Sequence, residues 1–187
     1  MIEVSRRSTK VLKTDGLHLH YREEQDIYNL VHYVISGNSS KAPIYVNGKG
    51  ITVYPHLSVQ QIAAEMIKIQ KLYRKCKGLR IRHEFITITK DEFPDKRRCT
   101  TQIRQIANGY GDYYFYSGFQ CVYSVFEEPD RYVIHYAINT VSPMDGAKYS
   151  YNEHDIWERE QCCIEYIVGQ VTGKPGRKFD FRELEYY

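Results

Sequence analysis

The stretch RYVIHYAIN, residues 131–139, sets two chemically capable side chains on one face of an expected strand. Successive strand residues point to opposite faces, so Arg131, Val133, His135 and Ala137 look out together. An imidazole ligates metals or moves protons, and a guanidinium matches the geometry of carboxylates and phosphates. The turn just before, EEPD, adds the carboxylates Glu127, Glu128 and Asp130. These acids admit two readings: solvated turn residues, one of them paired with Arg131, or part of a metal site shared with His83. His18 and His20 in LHLHY also share a face, but no third ligand lies near them, and a half-exposed edge strand is the expectation. Cys162 and Cys163 would point about 100° apart on a helix, which argues against a redox or metal pair.

Basic residues gather in SRRSTKVLK at the start, in KLYRKCKGLRIR (Lys71 to Arg82, including Lys75, Lys77, Arg80 and Arg82), in DKRR and in GKPGRK. Eighteen tyrosines accompany them, and cations attract phosphates while aromatic faces stack unpaired bases, a pairing suited to single-stranded nucleic acid. The same composition fits tyrosines filling strands with lysines solvating them. The net charge of +3 permits a nucleic-acid partner without requiring one. With 187 residues and 42% hydrophobic composition, one domain with a real core is expected, spanning 1–187 with its core at about 23–170 and basic arms at both ends. No apolar run reaches the roughly 20 residues that cross a bilayer, and the basic N-terminus lacks an apolar leader, so no membrane partner and a cytoplasmic location are expected. Five cysteines without a CxxC pair fit reduced thiols.

The elements that must carry these residues follow from periodicity. Ile27, Leu30, Val31 and Val34 repeat at helical spacing over 23–35, and Asn47-Gly48 suggests a hairpin over 44–55. Ser58 and Gln61 cap a helix bearing Ile62, Met66, Ile69 and Leu72 that Gly78 should end. LRIRHEFITIT alternates, with Ile81, His83 and Phe85 on one face and Arg80, Arg82 and Glu84 on the other. A helix over TTQIRQIANGYG should stop at Gly109 or Gly111, strands at 119–126 and 131–141 should form a hairpin, and a final helix capped by Ser150 and Glu153 carries Ile156, Ile164 and Ile167 or Val168. The fold class is α+β: an antiparallel sheet with helices packed on its face or faces, a sandwich of two or three layers.

This order of elements, with HEFITIT and the run HYAINTVSPMDGAKY, resembles the relaxases of plasmid mobilisation and conjugative transfer. The motif residues are Ile138-Asn139-Thr140-Val141 and Asp145-Gly146, and the likeness spans about residues 27 to 160. Such enzymes nick one DNA strand with a tyrosine that stays on the 5′ phosphate, beside a divalent ion held by three histidines. Anchored on Asn139, those ligand positions fall on Phe126, Val133 and His135. Only His135 can ligate, and one imidazole does not hold Mg²⁺ or Mn²⁺ usefully. The resemblance points to Tyr33 and Tyr28 as candidate nucleophiles, with His32 at i+4 from Tyr28.

Three functions compete. The first is a relaxase-like DNA-binding protein of a mobile element, without metal-dependent nicking and with no cofactor, in which Arg131, His135, Asn139, Arg80, Arg82, Lys75 and Lys77 contact DNA. Its partner would be single-stranded or hairpin DNA, with relaxosome proteins as further partners. The second is an active strand-transferase with an unorthodox tyrosine site, using Mg or Mn if the site works. The third is an α+β protein with no nucleic-acid role, alike by coincidence. The absence of an evident helicase or coupling region after the motif fits an accessory role.

Overall fold

The computed structural model describes residues 21–37, 41–51, 58–93, 95–149 and 153–174. Residues 17–20 of LHLHY, residues 52–55 of the expected hairpin, Ser150 of the second cap and the basic stretches at 1–20 and 175–187 lie outside them.

Helix α1 (Glu24–Ser36) forms where the apolar spacing put it, and Ile27, Leu30, Val31 and Val34 are its buried stripe. Its first turn is closed by Asp26, whose carboxylate accepts the Glu23 backbone N–H at 2.8 Å. Strand β1 (Tyr45–Lys49) departs from the expected hairpin. Asn47 and Gly48 are not its turn; they lie within the strand, opposite Tyr123 and Val122. Helix α2 (Val59–Leu72) starts at Ser58, whose hydroxyl oxygen accepts the Gln61 N–H at 3.2 Å. It ends before Gly78, because Arg74 adopts a left-handed φ of 55° and the Lys75 N–H returns to the Gln70 carbonyl at 2.8 Å.

Strand β2 (Ile81–Thr89) leads to α3 (Cys99–Tyr116), which runs straight through both glycines expected to stop it. A Cβ on Gly111 would stand 2.5 Å from the Tyr123 ring, and one on Gly109 3.0 Å from Ile167. Both glycines therefore serve close packing rather than helix termination. Strands β3 (Cys121–Glu127) and β4 (Arg131–Asn139) form the expected hairpin, closed by the Glu128 N–H on the Arg131 carbonyl at 2.8 Å. Helix α4 (Glu153–Thr172) follows.

The sheet order is β1-β3-β4-β2 and every pairing is antiparallel. Helices cover both faces, which makes the sandwich three-layered. On one side Val31, Val34, Ile62 and Met66 of α1 and α2 pack with Ile81, Val122 and Ala137 of the strands. On the other, Ile103, Ile106, Tyr110 and Tyr114 of α3 and Cys163, Ile164 and Ile167 of α4 cover Ile86, Ile134, Tyr136 and Ile138. Each fully buried aliphatic side chain contributes about 1.5–3 kcal/mol by leaving water. The layers thus hold the sheet rigid between two cores, with β4 paired on both edges.

Candidate functional site

Three adjacent strands bring their chemistry to the α1 face of the sheet. In the β3–β4 ladder Phe126 pairs with Val133 and Ser124 with His135; in the β2–β4 ladder Phe85 pairs with His135 and His83 with Ala137. Period-two alternation then places Phe126, Val133, His135, Phe85 and His83 together. Helix α1 crosses this face and adds Tyr33. It ends at Gly37 with φ 73°, where a Cβ would strike the Lys41 carbonyl and the Phe126 ring. Only a glycine allows this close turn, and it returns Lys41 to the strand ends. The result is a cleft of about 600 Å³ lined by Tyr33, Lys41, Phe85, Thr87, Phe126, Glu128, Arg131, Val133 and His135.

At one end of the cleft the Tyr33 hydroxyl lies 3.4 Å from His135 Nε2, and His135 Nδ1 lies 3.0 Å from His83 Nε2. Burial, and then the neighbouring His83, push the His135 pKa down to about 3, so its imidazole is neutral at physiological pH. A neutral ring donates from one nitrogen and accepts at the other. With Nδ1 protonated it donates to His83 and accepts the phenol proton at Nε2. Aromatic faces surround this chain of bonds: Tyr33 stacks on Phe126 at 6.3 Å between centroids and meets His135 edge-on at 5.2 Å. Such surfaces stack nucleobases without sequence preference.

At the other end, Lys41 Nζ donates to Glu128 Oε1 at 2.8 Å and Arg131 Nε to Glu128 Oε2 at 2.5 Å. Hydrogen bonds from Lys41 and then Arg131 hold the Glu128 carboxyl below the usual range. Arg131 thus pairs with Glu128 and remains about half exposed at the cleft mouth.

The three positions that the resemblance assigns to metal ligands do converge here, since Phe126, Val133 and His135 all line the cleft. Their chemistry does not fit a divalent ion. Phe126 and Val133 carry no donor atom, and both ring nitrogens of His135 already face protein partners, Tyr33 and His83. Arg131 and Lys41, which share the single Glu128 carboxylate at the other end of the cleft, leave its mouth cationic and so disfavour a further cation. The alternative site in the turn is not assembled either. Glu127 leaves the cleft to pair with Lys90 at 2.6 Å, and no group of three His, Cys, Asp or Glu side chains among the described residues could hold a metal.

The other expected site residues separate. Tyr28 lies in a different groove, between α1 and α2, with Glu24, Lys68, Lys71 and Leu72. Lys75 and Lys77 are exposed in the loop before β2, at the far end of the sheet from Arg131. Arg80, Arg82 and Asn139, expected on a DNA-facing surface, are instead buried. Arg80 Nε donates to Gln70 Oε1 at 2.8 Å. Arg82 points to the opposite face, between the carboxylates of Glu84 and Glu160, with its guanidinium 4.8 Å from the Tyr149 ring centre. Asn139 is a structural hub: it accepts from Gln70 Nε2 and donates to Gln120 Oε1, both at 2.9 Å, and so ties α2 to the end of β4. Burial costs these polar groups their water, and the hydrogen bonds and ion pairs named above offset much of that cost. Two members of the cleft lacked a strong sequence signal. Lys41 sits in a turn-rich loop without periodicity, whereas His83 was placed on a face by the β2 alternation but without a partner strand.

Comparison with known families gives one finding. The family described as "Relaxase: MobA/VirD2-like, nuclease domain" matches residues 33–167, a stretch that begins at Tyr33 and includes β1 to β4. No curated protein and no solved structure matches the chain. The likeness therefore is not a coincidence of a common sandwich. No helix among the described residues is long and apolar enough to cross a membrane.

Proposed function

Because the chain belongs to the relaxase family with a MobA/VirD2-like nuclease domain, we propose that it is a DNA-binding protein of a mobile element, serving plasmid mobilisation or conjugative transfer. It takes single-stranded or hairpin DNA into the cleft of Tyr33, His135 and Arg131, in the cytoplasm, without metal-dependent nicking. One observation carries this reading: two of the three positions that would ligate the metal are Phe126 and Val133, yet the cleft keeps its aromatic wall and its cationic mouth. Stacking surfaces and phosphate-binding cations suffice for binding, whereas the donor set for a catalytic ion is missing. The test is a fluorescence-anisotropy titration of single-stranded and hairpin oligonucleotides at two salt concentrations, with Mn²⁺ or with chelator. Affinity should fall with salt and ignore the metal. Affinity that appears only with Mn²⁺ would overturn the reading.

A second reading has its own support, in the bonds linking Tyr33, His135 and His83. In it the Tyr33 oxygen attacks a backbone phosphorus, its proton passes to His135 Nε2 and on to solvent, and the departing 3′ oxygen takes a proton from water as the P–O bond breaks. The product is DNA joined through its 5′ phosphate to the phenol. A covalent adduct on a denaturing gel, formed in chelator and absent from Tyr33→Phe, would establish this activity.

A further inference from the structure

We propose that Lys41, Glu128 and Arg131 form a clasp in which the Glu128 carboxylate holds, in the free protein, the place of a DNA phosphate, which displaces it on binding. The proposal rests on the DNA-binding reading above and names what happens at that site's mouth. One carboxylate gathers two cations here, one on each oxygen: Lys41 on Oε1 at 2.8 Å and Arg131 on Oε2 at 2.5 Å. Lys41 reaches it across 87 residues of chain, so the arrangement is built by the fold rather than by a local helix pairing. Glu128 is the one acid among the described residues that line the cleft, and with it removed Lys41 and Arg131 would lose the carboxylate that both of them hold. Carboxylate and phosphate present their oxygens to cations with similar geometry, and Arg serves both.

The clasp remains accessible. The side chains of Lys41 and Arg131 are 46% and 47% exposed, and Glu128 lies at the start of the polar turn between β3 and β4, where it can swing toward water. Arg131 and His135 lie four residue steps apart along β4, which is about 13 Å at the usual rise. The clasp therefore takes a phosphate flanking the one that faces Tyr33. Glu128 competes with the DNA for its own cations, so removing its charge strengthens binding, while removing a cation weakens it.

The full chain and variants are titrated with a fluorescein-labelled mixed-sequence single strand in chelator, over a series of salt concentrations. Glu128→Gln should bind about fivefold tighter, and Arg131→Ala about fivefold weaker, with a salt slope reduced by about 0.7. Glu127→Gln removes the same charge one residue away, outside the cleft, and should bind as wild type. Equal gains from Glu127→Gln and Glu128→Gln would overturn the clasp, since general charge would then explain both. So would wild-type affinity in both Glu128→Gln and Arg131→Ala, and in that case the DNA-binding reading itself would stand. Failure of the wild type and of Glu128→Gln to bind any DNA would remove the reading and the clasp together.

Discussion

At the scale of single residues, the cleft differs from a metal site by two side chains, and that difference is open to direct reversal. Phe126 and Val133 are neighbours in the β3–β4 ladder and share the face of His135. Replacing both with histidine in Phe126→His/Val133→His would offer three imidazoles where one now stands, enough donors for a divalent ion. The cations at the mouth oppose this gain, but Glu128 neutralises one of them. We expect the double variant to bind Mn²⁺ at least about tenfold more tightly than wild type by isothermal titration calorimetry, the scale on which ligand-shell changes act. Equal heats from both proteins would mean that the cationic mouth, rather than the missing donors, decides against the metal.

At the scale of elements, glycines in α3 were misread because sequence shows a glycine but not what faces it. Gly111 faces the Tyr123 ring at 2.5 Å from a hypothetical Cβ, and that ring is pinned by its hydroxyl donating to Asn108 Oδ1 at 2.7 Å. Gly111→Ala should cost about 1–3 kcal/mol through overpacking, a fall of several degrees in melting temperature. Gly109 meets only the Ile167 side chain at 3.0 Å, which can yield. There the higher helix propensity of alanine, about 1 kcal/mol, offsets the crowding, and Gly109→Ala should melt close to wild type. Differential scanning calorimetry of the two variants separates the effects; similar losses from both would show that α3 tolerates no side chain on either side. Elements with strong periodicity were legible for the opposite reason. The stripe of Ile27, Leu30, Val31 and Val34 and the β2 alternation of Ile81, His83 and Phe85 depend on local spacing alone, and all of them point where that spacing directs. The cleft was half legible: Arg131 and His135 follow from strand alternation, but Lys41 and the His83 contact depend on which strands pair and where a loop returns. Arg80 and Arg82 read as part of a basic surface because charge in sequence gives no depth, and both are buried.

At the scale of the whole molecule, the two faces of the sheet carry opposite kinds of polar chemistry. The α1 face holds the open cleft, while the α3–α4 face encloses Glu84 and Glu160 around a single guanidinium, that of Arg82. Tyr110 and Tyr114 donate to Glu84, and Tyr149 donates to Glu160 at 2.9 Å. Two buried carboxylates with one cation leave a surplus negative charge, which a low-dielectric interior resists by keeping a proton. Burial, followed by the Glu84 charge, accordingly pushes the Glu160 pKa from its usual 4.5 up to about 8. Below the usual value the folded and unfolded chains are both protonated, and the contribution of this group to stability is complete. As pH rises from there toward about 8, the unfolded chain gives up the proton and the folded chain keeps it, so stability declines; above that range the contribution is lost. The loss across the whole window is on the order of a few kcal/mol. Glu160→Gln keeps an acceptor for Tyr149 and removes the titration, so its melting temperature should decline less than that of wild type between about pH 5 and pH 8. Parallel melting profiles for the two proteins would show that both carboxylates are ionised inside the fold, with Arg82 and the tyrosine hydroxyls carrying the full charge of the pair.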